Sequence, residues 1–240
     1  MPYPAGFPEE HAGTHGHAHD EHDHGPLHHQ YEDIGQQNEC YIVGMWTFLV
    51  TEVMFFGAFF LMYTVYRMYY QQDFYLAHEH LNIPLGATNT FILLLSSFFM
   101  VMAVQGAQKG NRSQVIGNLG LVQLAAMGFL TIKYFEYAEK FKDNLVPGVN
   151  FTQNATELHG ANLNHAQIYY GLYFGMTGLH AVHIIVGMLV IGSLGAMWMK
   201  RDKLVTLDFV PTELVGLYWH FVDLVWIFLF PLMYLLPKPH

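Results

Sequence analysis

Five long apolar segments dominate the chain, and short polar stretches separate them. Each segment is long enough for a helix across a hydrocarbon core of about 30 Å, which takes about 20 residues. Backbone groups in lipid must pair internally, and the segments are too continuous for the alternating strands of a barrel. We therefore predict five transmembrane helices, at residues 41–66, 88–107, 114–137, 167–199 and 211–236.

The stretches between and within these segments add detail. Residues 106–113 form so short a connection that the second and third helices should be antiparallel neighbours. Pro211 opens the last segment, and the first helical turn tolerates its missing N–H. Small residues on the fourth segment permit close backbone approach and predict a helix–helix seam. These residues are Gly171, Gly175 and Gly178.

Composition agrees with a membrane protein. The 240 residues are 52% hydrophobic and only 12% charged, whereas soluble domains average about 25% charged residues. This balance excludes an ordinary soluble domain, an intrinsically disordered chain and a basic nucleic-acid binder. The single cysteine, Cys40, excludes an intramolecular disulfide and a CxxC motif. The predicted class is an all-α, polytopic membrane protein without a nucleic-acid partner.

Residues 1–40 differ from the rest of the chain. They contain eight histidines and several carboxylates, no lysine or arginine, and too few apolar residues to form a core. We predict a mobile tail over 1–40 and a helix bundle over 41–240. The alternative is Zn²⁺ or Cu²⁺ binding by neutral imidazoles. The candidate ligands are His11, His15, His17, His19, His22 and His24.

Basic residues in the short loops predict the orientation. With the N-terminus on the cytoplasmic side, two short loops on that side carry five cations, and cytoplasmic loops are enriched in such residues. The cations are Lys109, Arg112, Lys200, Arg201 and Lys203. We therefore expect a cytoplasmic N-terminus.

Ionisable side chains at membrane depth cost roughly 2.5–3.5 kcal/mol each on insertion scales, so each indicates a role. Glu52 lies in the first segment among Phe48, Phe55 and Phe56. Because burial disfavours a charged carboxylate, we expect Glu52 to be protonated at neutral pH. Two interpretations stay open: a proton-exchanging acid or lipid anchor, and a protonated side chain hydrogen-bonded inside the bundle.

Two further groups of polar residues share helical faces. On the fifth segment, Glu213, His220 and Asp223 are separated by seven and three residues. His220 and Asp223 are close enough along a helix to touch, which favours a structural polar pair. On the fourth segment, His180 and His183 are candidate metal ligands, but two histidines are a weak signal. Interhelical hydrogen bonding is the favoured interpretation of both.

Four sequence blocks carry a resemblance to a known family. They are WTFLVTEVMFF at 46–56, NTFILLLSS at 89–97, TGLHAVHIIVG at 177–187 and YWHFVDLVWIFLF at 218–230, with a weaker KxxEY match at 133–137. In this order and at these spacings they resemble subunit III of the haem–copper cytochrome c oxidases. The resemblance covers about residues 40–236 and omits the tail.

The resemblance implies a fold, partners and cofactors. The family's short bacterial form has five helices in two groups, with a V-shaped cleft that holds phospholipids. The subunit binds no haem or copper, which sit in partner subunits, and it packs mainly against subunit I. It supports proton uptake and turnover stability in a proton-pumping terminal oxidase of aerobic respiration. A bacterial inner membrane is implied, and the chain alone is expected to catalyse nothing.

Roles carry over by position to several residues. Glu52 is the intramembrane carboxylate of the first helix, and His183 and Lys200 resemble lipid-headgroup contacts. His220 and Asp223 match the polar pair of the last helix. A lipid-binding or proton-related role is therefore implied for Glu52, His180, His183 and Lys200.

The resemblance also bears on the metal and lipid interpretations. It removes the metal interpretation of His180 and His183, because the family has no metal there. The chain departs from the family at Met197 and Gln114, where relatives carry arginine and histidine. The number and headgroup type of bound lipids therefore stay open.

Two other functions stay open. One is the short subunit III of a quinol oxidase or of a nitric oxide reductase system. Such relatives tend to lack the intact EVMFF block, which favours cytochrome c oxidase. The other is a stand-alone proton or metal transporter that uses Glu52, the membrane histidines and the tail. The lack of an evident internal repeat and of broken helices counts against a transporter.

Overall fold

The computed structural model describes residues 34–79, 81–148, 151, 161–206 and 208–237. These ranges contain helices and no strand. The helices are α1 (Ile34–Tyr69), α2 (Gln71–His78), α3 (Ile83–Gln108), α4 (Arg112–Lys142), α5 (Leu163–Lys200), α6 (Lys203–Thr206) and α7 (Val210–Tyr234). Five of them, all except the short α2 and α6, are long and apolar enough to cross a membrane. The predicted all-α fold with five transmembrane helices is confirmed.

The spanning helices extend past the apolar segments that predicted them. α1 begins at Ile34, and α5 begins at Leu163 and has 38 residues. At 1.5 Å per residue, α5 is about 57 Å long and projects beyond a hydrocarbon core of about 30 Å. Residues 34–40 are therefore helical, although the sequence analysis placed them in the tail. The rest of that tail, with the six candidate histidine ligands, lies outside the described residues.

α7 is the central helix of the bundle. It packs against α1, α3 and α5, and α4 completes the group by packing against α3 and α5. α3 and α4 are neighbours, as predicted, and the turn between them contains Gly110 with a φ of +66°. Pro211 lies in the first turn of α7, also as predicted.

α1 lies at the edge of the bundle and contacts it along one narrow seam. The seam residues alternate at intervals of four and three, the spacing of coiled-coil packing. They are Met45, Leu49, Glu52, Phe56, Phe59, Tyr63 and Tyr66. Most of the remaining surface of α1 is exposed. The lipid-filled cleft implied by the family resemblance stays a prediction.

Among the glycines of α5, Gly187 has the shortest distance between a would-be Cβ and a neighbouring side chain. A Cβ there would lie 2.8 Å from Cζ3 of Trp219 on α7. At the three glycines of the predicted seam, Gly171, Gly175 and Gly178, the nearest atoms would lie 3.7–3.9 Å away. The three glycines of the predicted seam therefore make contacts at ordinary van der Waals distance. The position where α5 has no room for a larger side chain is Gly187, which faces the indole of Trp219.

Candidate functional site

A carboxyl–imidazole pair joins α1 to α5 in the middle of both helices. Glu52 Oε2 lies 3.1 Å from His183 Nε2, and His183 Nδ1 lies 2.9 Å from the carbonyl oxygen of Leu179. The Glu52 and His183 side chains are 18% and 14% exposed. The structure thus brings together two residues that the sequence marked separately.

The hydrogen bonds of this pair define how many protons it holds. Because a carbonyl oxygen only accepts, Nδ1 of His183 must carry the hydrogen that bonds to Leu179. The contact between Nε2 and Glu52 then needs one further proton, which belongs either to a neutral carboxyl or to an imidazolium. The predicted protonated Glu52 is the neutral one of these two forms. The ring of Phe56, 5.4 Å from the imidazole, covers the pair on one side.

His180 lies one turn before His183 but takes no part in the pair. Its buried ring packs 5.0 Å from Trp226 and 5.5 Å from Phe129. Neither ring nitrogen has a hydrogen-bond partner among the described residues. Of the two histidines expected to form interhelical hydrogen bonds, His183 alone does so. Within the described part of the chain, no group of three or more His, Cys, Asp or Glu is placed to hold a metal ion.

Lys200 is exposed at the end of α5. It follows His183 by 17 residues, which is about 25 Å along a helix. One lipid headgroup therefore cannot contact both side chains. Lys200 lies at the C-terminal end of α5, whereas the Glu52–His183 pair lies near the middle of α1 and α5.

The three polar residues of α7 have separate partners. His220 Nδ1 lies 2.7 Å from Ser97 Oγ on α3, and Glu213 accepts a hydrogen bond of 2.5 Å from Gln108. Asp223 is 3% exposed, and neither carboxylate oxygen has a hydrogen-bond partner among the described residues. The two members of the predicted His220–Asp223 polar pair form no hydrogen bond with each other among the described contacts, and the His220 imidazole bonds to the Ser97 hydroxyl on the neighbouring helix instead.

Sequence reasoning missed a buried ion pair on α4 that lies against the C-terminal end of α7. Lys133 Nζ lies 2.9 Å from Glu136 Oε2 and donates to the hydroxyl of Tyr234 at 2.6 Å. Glu136 Oε1 accepts hydrogen bonds from Tyr173 and Tyr234. The lysine also lies 4.8 Å from the ring centroid of Trp226, within cation–π range. The sequence signal that could have predicted this ion pair was a lysine three residues before a glutamate in an apolar helix.

A second polar contact lies outside the spanning helices. His165 Nδ1 at the start of α5 lies 2.6 Å from Asp73 Oδ2 of α2, and Tyr70 stacks on the imidazole with 3.7 Å between centroids. Nearby on α2, a hydrogen bond to Glu79 raises the pKa of the Tyr75 hydroxyl. These contacts fix α2 against the N-terminal end of α5.

Comparison with known proteins adds independent findings. A protein-family model described as cytochrome c oxidase subunit III matches residues 144–237. The "Cytochrome c oxidase subunit 3" of Corynebacterium diphtheriae is 29% identical over 80% of this chain and 86% of its own length. The "Quinol oxidase subunit 3" of Bacillus spizizenii is 28% identical over 88% of this chain and 92% of its own.

A third relative is a longer protein. The "Heme-copper oxidase subunit I+III" of Aeropyrum pernix is 29% identical over 80% of this chain. The match spans 22% of that relative's length.

The five apolar helices and their buried polar pairs define a multi-pass helical membrane protein. The matches confirm the resemblance to subunit III of the haem–copper oxidases. They support an accessory role in a terminal oxidase of a bacterial membrane. The matched relatives include cytochrome c and quinol forms. The cytoplasmic N-terminus stays a prediction.

Proposed function

We propose that this chain is a non-redox accessory subunit of a proton-pumping cytochrome c oxidase in aerobic respiration. In this proposal it packs against subunit I, with subunit II in the same complex, and haem and copper belong to those partners. The relative whose name joins subunits I and III supports contact with subunit I, because two chains that can be fused must lie near each other. The chain itself catalyses no step.

The Glu52–His183 pair is the observation that supports the proton-related part of this role. One proton is shared between a carboxyl and an imidazole 3.1 Å apart, and both side chains remain partly exposed at the α1–α5 surface. Either partner can give up or accept that proton without losing the contact to Leu179. We expect the pair to support proton uptake by the complex and to protect it during turnover.

Phospholipid binding is the second part of the role. Since Lys200 lies about 25 Å from His183 along α5, we place a headgroup phosphate near Lys200. The acyl chains would then run along α5 toward the Glu52–His183 pair. The exposed apolar surface of α1 and α5, which includes Val182, Ile185 and Leu189, suits such chains.

The electron donor has a second candidate. Relatives named for cytochrome c and relatives named for quinol match with identities between 24% and 29%. A quinol oxidase therefore remains an alternative, and the test of the proposal must distinguish it from a cytochrome c oxidase.

The first test is purification in mild detergent through a tag on this chain, read by visible spectroscopy and mass spectrometry. We expect a haem spectrum with co-purifying subunits I and II. Oxygen consumption with reduced cytochrome c or with quinol then identifies the donor. A colourless, solitary and stable protein would contradict the proposal and favour the transporter interpretation.

The second test addresses Glu52. In the assembled complex, Glu52→Gln should slow proton uptake and shorten the active life during turnover, because glutamine cannot release a proton to His183. The matched control is Glu139→Gln, which alters an exposed carboxylate at the end of α4. Equal behaviour of the two variants would remove the proton-related role and leave the accessory role intact.

A further inference from the structure

A cavity of about 410 Å³ lies between α3 and α7, at the end of the bundle where α3 ends and α7 begins. Gln105, Gln108 and Glu213 line it near the membrane surface, and His220 lines it farther in. Glu213 and His220 are seven residues apart, which is about 10 Å along the helix. The cavity therefore extends from a polar rim into the spanning part of the bundle.

His220 and Leu217 form the boundary of this cavity. On their other side lies a second cavity of about 350 Å³, whose lining is apolar and includes Trp46, Val50 and Phe221. Among the described residues, the polar rim that opens toward His220 lies on the Glu213 side, and Val101, Val104 and Leu217 form the apolar wall between that rim and His220. Among the residues that line the first cavity, Glu213 is the one with a formal charge.

The buried end of this route is Asp223. The Ser97 hydroxyl bonds to His220 Nδ1 at 2.7 Å and also lies beside the Asp223 carboxyl. Asp223 is 3% exposed and its two oxygens lack a hydrogen-bond partner among the described residues. A buried carboxyl without a partner costs several kcal/mol whether it is neutral or charged, and such groups are normally satisfied by ordered water.

We propose that the cavity between Glu213 and His220 is a water-filled half-channel, and that Asp223 is the proton-binding site at its end. A hydronium ion in the cavity gives a proton to Nε2 of His220, while Nδ1 passes its own proton to Ser97 Oγ. The hydroxyl proton of Ser97 moves to the Asp223 carboxylate. The imidazole ends neutral in its other tautomer, and one proton has moved from water to the carboxylate.

This site is separate from the Glu52–His183 pair. It connects α3 to α7 rather than α1 to α5, and it opens toward the membrane surface near Glu213. Its proton exchange needs neither electron transfer nor a bound lipid. The two proposals can therefore fail independently.

The first experiment measures water in the cavity by thiol labelling in the assembled complex. Cys40→Ser removes the only native cysteine, and Leu217→Cys then places a thiol in the cavity wall. The matched control is Gly120→Cys, at a similar depth on the exposed face of α4, where an added Cβ meets nothing within 4 Å. Because thiol reactivity requires the hydrated thiolate, a charged methanethiosulfonate reagent should modify Leu217→Cys at least about tenfold faster than the control.

A second variant that fills the cavity tests whether labelling depends on the space inside it. A Cβ at Gly216 would lie 2.9 Å from Val104 Cγ2 across the cavity, so adding Gly216→Val should return the labelling of Leu217→Cys to the control rate. Equal labelling of Leu217→Cys and Gly120→Cys would overturn the half-channel.

The second experiment follows the Asp223 proton by infrared spectroscopy of the same complex. We expect a carboxylic-acid band that Asp223→Asn removes and that shifts in D₂O, with exchange at least about tenfold slower in Ser97→Ala, which lacks the bridging hydroxyl. The Glu52 band, assigned with Glu52→Gln, should exchange at the same rate in both. Unchanged exchange of the Asp223 band in Ser97→Ala, or no band assignable to Asp223, would overturn the proton site.

Discussion

Glu136 and Asp223 are both buried in the bundle, with 1% and 3% exposure, but their surroundings differ. Glu136 accepts hydrogen bonds from Lys133, Tyr173 and Tyr234, which join α4, α5 and α7. Asp223 accepts none from the described residues. A buried carboxylate whose two oxygens both accept hydrogen bonds stabilises the fold, whereas one without a hydrogen-bond partner only costs stability and needs another explanation.

The largest effect should come from breaking the Lys133–Glu136 pair on one side. Lys133→Met leaves a buried carboxylate without its cation, and we expect a loss of about 3–5 kcal/mol of stability. The measurement is the unfolding midpoint of the complex in detergent. Lys133→Met combined with Glu136→Gln should recover part of the loss, because no uncompensated charge remains. A double variant no more stable than the single one would show that the loss comes from packing instead.

Close packing of Trp219 against α5, rather than hydrogen bonds to Asp223, should stabilise the position of α7 in the bundle. Gly187→Ala places a methyl group 2.8 Å from the ring of Trp219, and such overpacking typically costs about 1–3 kcal/mol. Thermal unfolding of the complex measures it. The control is Gly57→Ala on α1, where an added Cβ meets nothing within 4 Å, and that variant should lose no stability. Equal midpoints for both variants would disprove close packing at Gly187.

Glu52 should contribute less to stability than Glu136, because its pair is partly exposed and joins only the edge helix α1. Glu52→Gln should cost about 0.5–1.5 kcal/mol, the usual net value of one hydrogen bond. Hydrogen exchange should show the loss in α1 and not in α3 or α4. A loss spread over the whole bundle would mean that α1 is not an independently docked helix.

Asp223→Asn should have the smallest effect on stability. Neither carboxylate oxygen accepts a hydrogen bond from the described residues, so an isosteric amide removes nothing that holds the fold, and we expect a change within about 0.5 kcal/mol. The unfolding midpoint of the assembled complex gives the answer. A loss as large as that of Lys133→Met would break the comparison with Glu136 and make Asp223 a structural residue.

Much of the fold was predictable from the sequence for a physical reason. A membrane core accepts only long apolar helices, so composition and segment length were enough for the five spans, the short connection between α3 and α4, and the position of Pro211. Helix ends were less predictable. α1 begins at Ile34 within the predicted tail, because backbone hydrogen bonds continue through polar residues outside the lipid.

Side-chain partners were less predictable than helices. Spacing placed His220 and Asp223 on one face, but the Ser97 hydroxyl from another helix took the imidazole instead. Spacing also treated Glu52 and His183 separately, since no local rule relates residues 131 positions apart. The functional roles of these residues remain proposals that the variants above test.

The sequence by itself determined what kind of protein this is. Its apolar segments specify a five-helix membrane protein, and its four motif blocks carry the resemblance to oxidase subunit III, because both are properties of residue order. Only the tertiary structure decided which polar side chains meet. Lys133–Glu136, Glu52–His183 and Ser97–His220 each form, and Asp223 has no hydrogen-bond partner in the described part of the chain, according to how the helices are rotated and packed. Those contacts join side chains through space, and in lipid each buried polar group depends on the partner that packing supplies.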